Sequence, residues 1–102
     1  MFKNPAKIPE LLNKVQDCIE KGEYLDTVHA SIRQGERAIT RPEILYVLKN
    51  GWHEKSKDEY QQRYEAWNYA IRGKTIDKRE LRVVVSFDEN GMLIITAIDL
   101  DV

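Results

Sequence analysis

"LRVVVSFDENGMLIITAIDL", residues 81–100, decides the fold. Apolar and polar side chains alternate on both sides of Asn90-Gly91, the period of a strand with one buried face. Asn-Gly suits the positive φ angles of a two-residue type I′ turn, so the segment is predicted to be a β-hairpin turning at Asn90-Gly91. Such a turn sets Arg82 opposite Asp99 and gathers Leu81, Val83, Val85, Phe87, Met92, Ile94, Ile98 and Leu100 on one apolar face. The other face, with Val84, Ser86, Ile95 and Ala97, is mixed. It reads either as a shallow binding floor or as a surface half covered by a neighbouring chain.

Upstream of the hairpin lies "WHEKSKDEYQQRYEAWNYAIRGKTIDKRE", residues 52–80, with two competing periods. Tyr60, Tyr64 and Trp67 fit a helix, whereas Trp67, Tyr69 and Ile71 fit a strand. The strand reading is adopted from about Tyr64 to Thr75, preceded by a short strand near Trp52 and a polar connection. Further back the period becomes helical. Ile8, Leu11, Leu12, Val15 and Ile19 form one stripe, with Pro9 suited to a first turn and Gly22 as the stop. A second helix is expected, capped by Asp26 or Thr27 and carrying Val28, Ile32, Gly35 and Ile39. "TRPE", residues 40–43, reads as a capping box that opens a third, in which Ile44, Val47 and Leu48 point inward and Asn50-Gly51 ends the run. Helices packed on a three- or four-stranded antiparallel sheet make an α+β domain.

A chain of 102 residues, 42% hydrophobic and 32% charged, suffices for one core, so residues 1–102 are expected to form a single domain. Sixteen basic and seventeen acidic side chains nearly cancel, and any attraction to nucleic acid must come from a local patch. Cys18 is the only cysteine, which excludes an internal disulfide and suits a reducing compartment. The opening residues lack the apolar run of a signal peptide, and no stretch approaches transmembrane length. The expectation is therefore a cytoplasmic protein that does not enter a membrane.

Two basic constellations stand out. His29, Arg33, Arg37 and Arg41 recur at four-residue steps, which on a helix lie along one side and border the apolar stripe. This position suits a phosphate clamp, because arginine stems pack on apolar surface while their forks reach a cleft; it suits equally well arginines paired with Glu36, Glu43 or the sheet. Arg41 in a helix's first turn opposes the helix dipole and calls for a nearby anion, either a bound phosphate or Glu43. The second cluster holds Arg72, Lys74, Lys78, Arg79 and Arg82, with Asn68, Arg72 and Lys74 on one side of their strand. Trp67 and Tyr69 offer either stacking surface for unpaired bases or core packing. His53, Glu54, Asp58 and His29 have no recognised metal spacing, and no activated serine motif or glycine-rich phosphate loop occurs. No cofactor is expected.

The stretch "TVHASIRQGERAITRPEILYVLKNG", residues 27–51, resembles a widespread bacterial family of small uncharacterised proteins, marked by a His-Ala pair, an arginine four residues after the histidine, a second arginine before an isoleucine, and a short helix closing on Leu-x-x-Gly. The C-terminal "YAIRGKTIDKRELRVVVSFDENGMLIITAIDL" looks like the rest of that family. Its layout is similar to the RelE and BrnT toxins, compact α+β proteins that cleave messenger RNA without a metal and are restrained by an antitoxin. The resemblance implies a RelE-like arrangement, RNA as substrate and a protein antitoxin as partner. It implies attack of a ribose 2′-hydroxyl on the adjacent phosphate, with His29 as base or acid and Arg33, Arg37 or Arg72 stabilising the charge. Arg41, Asn68, Tyr69, Lys74 and Arg82 would hold the nucleic acid. The alternative implied by the same residues is a non-catalytic protein-binding module on this scaffold.

Overall fold

The computed structural model describes residues 4–27 and 39–101. Helix α1 spans Leu11–Lys21, strand β1 Tyr24–Asp26, helix α2 Arg41–Asn50, and strands β2 to β6 Trp52–His53, Glu59–Gln61, Ala66–Lys74, Glu80–Asp88 and Gly91–Asp99. A single 3₁₀ turn, Lys55–Lys57, lies between β2 and β3. The sheet runs β1-β6-β5-β4-β2, with β3 pairing the other half of β4's free edge. The fold is α+β. Among the described residues the sheet has six strands rather than three or four, and it is mixed, because β1 joins β6 in parallel.

Both described helices bury one stripe on one face of the sheet. Leu11, Val15 and Cys18 of α1, and Ile44, Val47 and Leu48 of α2, meet Ile71, Leu81, Val83, Val85, Met92 and Ile94 in one core. Burying each large aliphatic side chain contributes about 1.5–3 kcal/mol, so this layer is the main source of stability. Gly22 stops α1 in the left-handed region, φ 69°, and Glu23 N–H closes the turn on Cys18 C=O at 2.8 Å. The capping box at α2 forms as expected: Thr40 Oγ1 accepts from Glu43 N–H, and Glu43 Oε1 accepts from Thr40 N–H. The expected second helix falls on residues 28–38 and lies outside the described residues. Its flanks are fixed, since Thr27 donates twice to Ile94 C=O and Ile39 is buried in the core.

The C-terminal hairpin differs from its expected register. Asp88 faces Gly91, so Glu89 and Asn90 form the two-residue turn and Gly91 opens β6 at φ 126°. The cause is β1: Met92 N–H donates to Glu23 C=O at 2.9 Å, which draws Gly91 into the ladder. A Cβ at Gly91 would stand 2.2 Å from Glu23 O, so the glycine serves this approach instead of the turn. A bulge at Ile95 then shifts the pairing, from Val85 opposite Ile94 to Val84 opposite Thr96. Beyond it Ala97 and Asp99 occupy the core side and Ile98 turns outward, 41% exposed. Arg82 therefore faces Ile98, and Asp99 faces Leu81.

Candidate functional site

The arginines of the second basic cluster are paired with carboxylates. Glu54 follows β2, and its N–H is fixed on Ala70 C=O at 2.8 Å. Its buried carboxylate accepts from Arg82 Nε at 2.7 Å, Arg72 Nη1 at 3.1 Å and Arg82 Nη2 at 3.3 Å. Arg72 and Arg82 are cross-strand partners on the outer sheet face, where two guanidinium groups side by side require an anion between them. Hydrogen bonds from Arg82 hold the Glu54 carboxyl below its ordinary range against the opposing effect of burial. Arg72 also donates through Nε to Glu80 Oε1 at 2.9 Å. Glu54 and Glu80 thus neutralise Arg72, and Glu54 occupies Arg82.

Arg79 is buried, with Nε donating to Asp99 Oδ2 at 2.5 Å and Nη1 3.6 Å from Glu43. Asp58 forms another inner junction. Its side chain is fully enclosed and accepts from Ala70 N–H at 2.9 Å, with His53 Nε2 at 2.7 Å and Lys7 Nζ at 3.0 Å on its other oxygen. It satisfies a strand N–H where β2 leaves the edge of β4 and β3 has not yet begun, so the pair His53–Asp58 is accounted for by architecture.

The remaining sequence candidates are dispersed. Tyr69 is buried, and its hydroxyl accepts from Ile8 N–H at 3.0 Å; it packs against His53 and Phe87 and presents no ring to solvent for a base. Trp67 donates Nε1–H to Pro5 C=O and carries Lys7 over its ring. Asn68 lies on the outer face of β4, lining a hollow of about 400 Å³ with Tyr64 and Ile95. Lys74 is exposed at the end of β4. Arg41 finds its anion in Asp26, Nε to Oδ2 3.2 Å, and not in Glu43. The Asp26 side chain is 3% exposed and that of Arg41 is 56% exposed. His29, Arg33 and Arg37 lie outside the described residues. Among the described residues no group of three His, Cys, Asp or Glu side chains is placed to hold a metal, and no helix is long and apolar enough to cross a membrane. Cys18 is buried, which pushes its thiol pKa up and leaves it a packing residue.

Glu54 and Asp58 were not singled out by sequence as the organising acids. The available signal was their position: both flank a short polar run between two aromatic strand segments, where a sheet edge is interrupted.

An α+β layer in which Arg72, Arg79 and Arg82 are neutralised in place defines a scaffold. The chain belongs to the DUF4258 family, a domain of unknown function, whose model matches residues 27–99. No curated protein and no solved structure matches it.

Proposed function

We propose that the chain is a RelE/BrnT-like toxin domain, a metal-independent endoribonuclease acting on messenger RNA and restrained by a protein antitoxin. The observation that carries the reading is the condition of Arg41. It is the last member of the four-residue series His29, Arg33, Arg37, Arg41, and it stands at the start of α2 with its side chain more than half exposed. Only its Nε is engaged by a described residue, so both terminal nitrogens remain available to a phosphate. Arg72 and Arg82, by contrast, act as scaffold. In this reading His29 moves the proton of the attacking 2′-hydroxyl, Arg33 and Arg37 stabilise the charge developing on phosphorus, and Arg41 binds the adjoining phosphate.

Induced expression tests it. Wild type arrests growth and the purified chain cleaves RNA in the presence of a chelator; His29→Ala and Arg33→Ala abolish both while the circular dichroism spectrum stays unchanged. Harmless expression together with intact RNA removes the nuclease reading. The binding-module reading then stands, favoured by an outer sheet face that exposes Leu25 at 60% and Ile98 at 41%.

A further inference from the structure

The helices do not roof the whole inner face of the sheet. Over the first half of β4 the cover is a segment, residues 5–8, that belongs to no helix or strand. Pro5 C=O accepts from Trp67 Nε1–H at 2.8 Å, and Ile8 N–H donates to the Tyr69 hydroxyl at 3.0 Å. Between them Lys7 Nζ donates to Asp58 Oδ2 at 3.0 Å and stands 4.7 Å from the centre of the Trp67 ring. Ile8 also packs at the edge of the core. Four consecutive residues are thus strapped across two aromatic rings and a buried carboxylate.

Two features make the strap releasable. Each polar group it satisfies has a partner once it leaves: Asp58 keeps His53 Nε2 at 2.7 Å and Ala70 N–H at 2.9 Å, and the Trp67 indole N–H and the Tyr69 hydroxyl open to water. The Lys7 side chain is already 34% exposed, so its ion pair holds the strap weakly. The second feature is the joint to α1. Glu10 caps that helix at φ 50°, ψ 51°, a left-handed conformation costly for a residue with a Cβ, and its side chain makes no capping hydrogen bond. Pro9 has a fixed φ, which concentrates rotation on Glu10, and release lets Glu10 relax to the extended backbone usual for a cap. We propose that residues 5–8 are a hinged strap that opens as one unit about Pro9-Glu10 while the core stays folded, baring the Trp67 and Tyr69 rings and the Asp58 carboxylate. The device involves none of His29, Arg33, Arg37 and Arg41 and does not rest on the nuclease reading.

Native-state hydrogen exchange on the full chain tests it, read at Ile8 N–H and Trp67 Nε1–H against the buried strand amides of Ile71 and Val83, each relative to its intrinsic rate. The two strap signals are expected to give one opening constant, agreeing within about fivefold and lying at least about a hundredfold above those of Ile71 and Val83. Urea that speeds exchange at Ile71 and Val83 should leave the strap signals unchanged, because opening the strap exposes little surface. Lys7→Met should raise both strap signals about fivefold. Glu10→Gly, which takes φ 50° without strain, should lower both about threefold. Strap signals that follow Ile71 and Val83 in rate and urea dependence show opening only with the whole fold and overturn the proposal. So do strap signals that differ by more than fivefold or respond singly to Lys7→Met, which is independent fraying, and an absence of protection at both, which is no closed strap. A Glu10→Gly chain that exchanges as wild type overturns the hinge.

Discussion

Replacing Glu54 by Gln keeps its shape and removes the anion between Arg72 and Arg82. Stripping one member from a fully buried ion pair costs about 3–5 kcal/mol, because the remaining charge is left without compensation. Here the cost is smaller. The Arg72 side chain is 32% exposed and keeps Glu80, and the Arg82 side chain is 18% exposed, so water reaches part of both guanidinium groups. The two cations nonetheless face each other across β4 and β5, and a neutral amide accepts weaker hydrogen bonds than a carboxylate. A loss of about 2–3 kcal/mol follows. For a domain of this size that lowers the melting temperature by roughly 10 °C or more. Urea denaturation followed by circular dichroism measures it, and pH supplies an internal control. Because the native carboxyl of Glu54 is held below its ordinary value of 4.5, its contribution is complete above that pH and is lost as pH falls through the native value. The gap between wild type and Glu54→Gln should be widest near neutrality and close in acid. A difference below about 0.5 kcal/mol at pH 7, or one that widens in acid, refutes the claim that Glu54 organises the arginines.

Asp58→Ala should cost about 3 kcal/mol, as it strands the buried Ala70 N–H and removes the partner of His53; Asp58→Asn, which keeps an acceptor, should cost clearly less by the same denaturation assay. Gly91→Ala should cost at least about 2 kcal/mol and speed hydrogen exchange at Met92 N–H, since the added methyl meets Glu23 O and β1 must withdraw. Arg72→Gln should leave RNA cleavage per folded molecule within about twofold of wild type, whereas Arg41→Gln should weaken RNA binding and flatten its salt dependence. A loss of cleavage in Arg72→Gln with unchanged stability would return that arginine to the catalytic set.

The parts of the fold legible in sequence were those set by local rules. Thr40 and Glu43 make their reciprocal cap, Gly22 ends α1, and Ile44, Val47 and Leu48 are fully buried because spacing along one helix determines them. The hairpin was legible as a hairpin, and its turn was displaced because a distant strand intervened. Gly91 serves the close approach of Glu23, a contact between residues far apart in the chain, and Asn-Gly chemistry carries no trace of it. Strand β1 was missed for the related reason that Tyr24–Asp26 is too short to show alternation. Its parallel pairing to β6 is favoured by the tertiary ladder alone.

The candidate site was less legible because a sequence counts charges without assigning partners. Arg72 and Arg82 were identifiable as a basic pair on one face, but the acid that neutralises both sits at Glu54, outside either strand, and reaches them only because the β2–β3 crossing bends over the edge of β4. Local excess of positive charge is therefore a poor measure of available charge in a small sheet whose outer face carries paired acids. The useful quantity is the number of guanidinium and ammonium donors left after the carboxylates have been matched. By that measure the described arginines of the two clusters differ. Arg72, Arg79 and Arg82 hold the sheet together, while Arg41 at the start of α2 has only its Nε engaged by a described residue. A phosphate ligand should shift the guanidinium signals of Arg41 without moving those of Arg72 and Arg82, and a ligand that moves all three equally would show that the division is wrong.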